Sequence, residues 1–239
     1  MKIGCITSDG KSVEQVDLSV VKETVYELEI VVVNHPRHYP KYEVSPQTIA
    51  FADTQKEAEY LIQDALESKK WKTEDIFCFY IYERPIDFEY GWSECMSSWV
   101  YSNEGHLLDK RLFPTFWSEG KFDGRSEEEV RFKWGDLVEC LWGTSVELVY
   151  VLASPPGKEH YIRISNEQGK PYFGDDSDDS YVVIDGPGYQ YHSHVDALSL
   201  FTPHYNIPKS IQQKYLKIWE GYLKDLEEYR KDIGYNAPF

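Results

Sequence analysis

The chain has 239 residues, 41% of them hydrophobic, enough to bury a sizeable core in one large domain or two small ones. Its 25 basic and 41 acidic residues leave a net charge of −16. That balance argues against a nucleic-acid binder, which needs clustered Lys and Arg to neutralise phosphates, and against anionic membrane surfaces.

The opening MKIGCITSDG lacks the apolar core of a secretory signal. Within it, Gly4 to Gly10-Lys11-Ser12 imitates a phosphate-binding loop but has five residues between the glycines where the motif has four. A hairpin tip at Asp9-Gly10 is the better reading. Val25–Val33 is expected as a strand, with Tyr26, Leu28, Ile30 and Val32 on one face and Glu27 and Glu29 on the other. Asn34–Pro46 reads as a loop, because three prolines exclude the helix that would align His35 and His38 on a metal. Thr48–Ala52 is a short second strand. Thr54-Gln-Lys-Glu57 then forms a capping box, and Ala58, Leu61, Ile62, Ala65 and Leu66 follow at helical spacing.

Ile76–Tyr82 is apolar on both faces and reads as a central strand. Asn103-Glu-Gly105 joins two further strands, Ser97–Tyr101 and His106–Leu112. Phe113–Gly124, broken by Pro114, Gly120 and Gly124, marks a boundary. Beyond it, Leu137–Trp142 and Val146–Ala153 form a hairpin about Gly143-Thr144, and residues 158–178 a polar insertion. Tyr181–Ile184 and Tyr189–His194 pair around a turn, and Val195–Phe201 holds one helical turn. Lys209–Lys231 is an amphipathic helix with a stripe of Ile211, Tyr215, Ile218, Trp219, Tyr222, Leu226 and Tyr229.

The fold class expected is α+β. Residues 1–120 form an antiparallel sheet with one helix, and 121–208 a small SH3-like β-barrel. Residues 209–239 form a helix packed on the barrel or on the surface between the units. The stretches GRSEEEVRFKWGDLVECLWG and DDSYVVIDGPGYQYHSHVDALSLFTP, between Gly124 and about Pro203, resemble five-stranded barrels of the Src-homology, Tudor and KOW type. That resemblance implies recognition of peptides, modified side chains or RNA through loop aromatics. No binding residue transfers, because the loops do not match. SSWVYSNEGHLLDKR and FDGRSEEEVRFKWGD also resemble uncharacterised two-part proteins of bacteria, a likeness that implies architecture and no activity.

Four dispersed cysteines without a CxxC pair, and no run of roughly eighteen apolar residues, point to the cytoplasm. His192 and His194 flank Ser193 on a strand; with Asp178 or Asp179 they offer an alternative reading as a metal-assisted hydrolase. Asp196 and His204 lie near them in sequence. The leading expectation is a non-catalytic interaction protein with no cofactor, using an acidic, aromatic surface on a protein partner. Tyr189, Tyr191, Asp175 and Asp176 are its first candidates, in turns and hairpin ends where recognition residues gather. A basic partner, and an inhibitor or immunity-type role, match the charge. The oligomeric state is left open.

Overall fold

A computed structural model of the chain describes residues 2–3, 16–17, 24–35, 37–85, 97–111, 131–153, 162–164, 171–173, 181–185 and 191–232. Strands β1 (Lys2–Ile3) and β2 (Val16–Asp17) pair antiparallel on either side of the Asp9-Gly10 position. They are followed by β3 (Thr24–Val33), β4 (Lys41–Ala52), α1 (Gln55–Glu67), a 3-10 turn at Thr73–Asp75, and β5 (Ile76–Pro85). Next come β6 (Ser98–Ser102), β7 (Leu107–Arg111), β8 (Leu137–Trp142) and β9 (Ser145–Ala153). The short strands β10 (Ile162–Ile164) and β11 (Pro171–Phe173) make a ribbon inside the polar insertion, where the sequence suggests no strand. The chain continues through β12 (Tyr181–Asp185), β13 (Tyr191–Val195), a 3-10 turn at Ala197–Ser199, β14 (Leu200–Phe201) and α2 (Lys209–Asp232).

The fold is α+β: a mostly antiparallel half-barrel carrying two α-helices among the described residues. Its main path runs β13-β12-β9-β4-β3-β5-β6-β7, with β8 between β9 and β14. β4 is the joint. It pairs with β3 along most of its length and with β9 at Lys41–Glu43, so the first and second halves share one sheet.

β4 is longer than the sequence suggests, because Pro46 does not break it. Glu43 accepts from Asn34 N–H on the β3 side, while Val44 donates to the Thr144 carbonyl on the other. Backbone groups alternate sides along a strand, so Pro46, two residues past Val44, faces away from β3 and removes no bond from that ladder. The loop is thereby confined to residues 34–40.

Four apolar clusters among the described residues hold the layers. One face of the first sheet buries Leu28, Ile30, Phe79 and Ile81 under Ala58, Ile62 and Ala65 of α1. Thr54 caps that helix, accepting from Glu57 N–H at 3.2 Å, and Glu57 reaches back to the amide of Asp53. The opposite face packs Val31, Val33, Phe77 and Tyr80 against Val146, Leu198 and Phe201 from the second half. Val138, Cys140, Val149, Val151, Val183, Val195 and Leu200 fill the interior of the second half. α2 covers the outer face of β9 and β12 through Tyr215, Tyr222 and Leu226.

Glu29 is only partly covered, and burial first, then the charge of Glu27 beside it, raise its carboxyl above the ordinary 4.5. Folding therefore tightens its grip on a proton. The stability this supplies is complete below pH 4.5 and is lost as pH climbs through the raised value. Glu29→Gln is expected to have a higher denaturant midpoint than the parent at neutral pH, with the gap closing near pH 4.5. A gap unchanged between those two pH values would contradict the burial argument.

Candidate functional site

Two regions stand out: a buried polar cluster where the halves meet, and an open groove beside α1. The cluster is built on Glu139, a lone carboxylate in the apolar run of β8 and 0% exposed. Tyr39 donates its hydroxyl to Oε1 at 2.5 Å. His204 approaches Oε2 with Nδ1 at 2.7 Å and with its backbone amide at 3.3 Å. The His204 ring lies against Phe77, centroids 4.5 Å apart. Toward the surface, Tyr205 donates to the Glu74 carbonyl at 3.0 Å, and Arg37 sits over the Tyr205 ring at 3.9 Å. Asp75 there takes Arg37 at 3.5 Å and His35 at 2.8 Å.

Burial, and then the charge of Glu139, push the Tyr39 and Tyr42 phenols well above their ordinary value, so both remain neutral donors. Both oxygens of Glu139 are occupied within the protein and none of its surface is open. The cluster thus ties loop 34–40, β8 and residues 204–205 together. Tyr42 is the exception inside it: its hydroxyl is turned toward Glu139 but completes no hydrogen bond. An unsatisfied buried hydroxyl costs about 1–3 kcal/mol. Tyr42→Phe is therefore expected to be neutral or stabilising by up to about 1 kcal/mol, whereas Tyr39→Phe should cost about 1–2 kcal/mol in urea unfolding. Equal losses at the two positions would reject this assignment.

The groove has the opposite character. Phe51, Ala52, Asp53, Glu57, Tyr60 and Leu61 line about 370 Å³ of open space between the end of β4 and the first turns of α1. Phe51 is 63% and Tyr60 60% exposed, unusual for large apolar side chains. Its charged lining residues, Asp53 and Glu57, are both acidic. Lys56, one residue along the helix, holds its ammonium 5.8 Å from the Tyr60 ring centroid, so that ring already attracts a cation.

The residues singled out from sequence distribute differently. Asp175, Asp176, Asp178, Asp179 and Tyr189 lie outside the described residues. Tyr191, His192 and His194 lie in β13, opposite Asp185, Ile184 and Val182 of β12. Asp196 is engaged by Arg111 at 2.6 Å and accepts from the Leu198 amide, and His204 meets Glu139 through Nδ1. Among the described residues no group of three or more His, Cys, Asp or Glu stands close enough to hold an ion. Sequence reasoning passed over Glu139, whose signal was a charge inside an apolar strand, and Phe51 and Tyr60, whose exposure only the fold reveals. No family model, curated protein or solved structure matches the chain.

Proposed function

We propose that the chain is a non-catalytic cytoplasmic interaction protein that binds a basic protein partner through an acidic, aromatic surface. One observation carries the reading: two aromatic side chains stand exposed beside an open groove whose charged lining residues are both acidic, on a chain of net charge −16. Exposed aromatics set among like charges are where interface energy concentrates. An inhibitor or immunity-type role against a basic partner fits the same charge.

The second half supports a small SH3-like barrel within this reading. Its strands neighbour one another in the order β14-β8-β9-β12-β13, with the 3-10 turn just before the last in sequence. Tyr189, Tyr191, Asp175 and Asp176 are the candidates that the sequence offers on that half. Immobilised protein should retain basic proteins from a lysate, release them as salt rises, and lose them in the Phe51→Ser, Tyr60→Ser double variant. Retention unaltered by that variant would remove the groove from the function; loss on alanine substitution at Tyr189 and Tyr191 instead would move it to the second half.

A further inference from the structure

β4 pairs with β9 only over Lys41–Glu43, with one further bond from Val44 to Thr144. From Ser45 to Ala52 its outer edge meets no strand among the described residues. The register against β3 slips between Leu28 and Glu29, whose partners are Ala50 and Thr48, so Ile49 is bulged. Before the bulge the even residues of β4 face outward, and the extra residue brings Phe51, paired with Glu27, into the outward set. Phe51 thus turns its backbone amide and carbonyl toward the open edge, and its ring, on the sheet face of Glu27, is exposed. That end of the strand borders the groove, whose lining also includes Glu57, Tyr60 and Leu61 of α1.

A slot with a strand edge on one wall and a helix on the other is suited to an extended segment, held by main-chain hydrogen bonds with alternate side chains in pockets. The groove lining includes acids and no base, which selects the sign of those side chains. We infer that the groove takes an extended, Lys- or Arg-bearing segment of a protein partner, added as a strand to β4 at Phe51 with its cations on Asp53 and Glu57. This rests on the proposed function above and specifies how that surface works.

The test is amide hydrogen exchange of the full chain during titration with a short synthetic peptide alternating lysine and valine. Saturable binding that weakens with salt is expected, with exchange at the Phe51 amide slowed at least about tenfold. The same peptide N-methylated along one edge, or carrying glutamate for lysine, should bind at least about tenfold more weakly, as should the Phe51→Ser, Tyr60→Ser variant. No saturable binding, or equal binding of the glutamate peptide, overturns the inference. So does slow exchange at Phe51 before any peptide is added: independent of concentration, it means another part of the chain covers the edge; rising with concentration, it means a second copy does. If the N-methylated peptide binds as well as its parent while the double variant loses both peptide and partner, strand addition fails and the groove reading survives. If the double variant keeps both, the groove reading itself fails.

Discussion

Replacing Glu139 by alanine is expected to destabilise the protein by about 3–5 kcal/mol, since each buried donor left without its acceptor costs about 1–3 kcal/mol. The carboxylate is wholly enclosed and serves three donors, the Tyr39 hydroxyl and two nitrogens of His204. Without it, the His204 nitrogens are left beside Phe77 and Phe201, and the Tyr39 hydroxyl keeps only the Tyr205 carbonyl at 3.3 Å. The carboxylate as such need not be worth that much, since the cost of burying it offsets most of what its hydrogen bonds return. The triple variant Glu139→Leu, Tyr39→Phe, His204→Phe should accordingly fall within about 2 kcal/mol of the parent. Urea unfolding followed by tryptophan fluorescence separates the two variants. A single-alanine loss below about 1 kcal/mol would mean that water reaches the cluster and that the joint is weaker than its geometry indicates.

Tyr222→Ala is the second large effect, with an expected loss of about 3–5 kcal/mol, as for other large aromatic residues cut back inside a core. Tyr222 is 1% exposed and sits at the centre of the stripe by which α2 covers Leu148, Tyr150, Leu152, Val182 and Ile184. Its ring is stacked on Trp219, centroids 5.4 Å apart, and Trp219 stacks in turn on Tyr150 at 4.9 Å. Removing the ring opens a gap that neighbours anchored on two strands cannot close. Tyr222→Phe, which keeps the volume, should retain most of the stability. Equal losses in the two variants would place the energy in the hydroxyl and contradict the packing argument.

Local patterns made much of this fold readable. The Thr54–Glu57 box announced α1, the Gly143-Thr144 break announced the β8–β9 hairpin, and the aromatic stripe announced α2 with its packed face. Each of these is decided by neighbours within a few residues. The lower half of β4 was hidden because a proline count treats every proline as a breaker, and only the pairing partner reveals that Pro46 faces outward. The β4–β9 contact was hidden for a related reason: no local signal specifies a strand pair between distant segments. Of the site, the sequence supplied the character, acidic and aromatic, through composition alone. The groove is lined by Phe51 from a strand and Tyr60 from a helix, and that combination is a tertiary property.

The shared strand also bears on how the molecule is made. Lys41 meets Glu147, 106 residues further along. At about 5–20 residues per second, a ribosome needs on the order of 5–20 s to deliver that partner. For that interval the nascent first sheet carries a bare rim along the whole of β4, longer-lived and longer than the edge left in the finished protein. Pro46, with no amide to donate, and the kink at Ile49 both stand on that rim, where they discourage pairing with a neighbouring nascent chain. The interruptions that make β4 hard to recognise thus guard it while it waits.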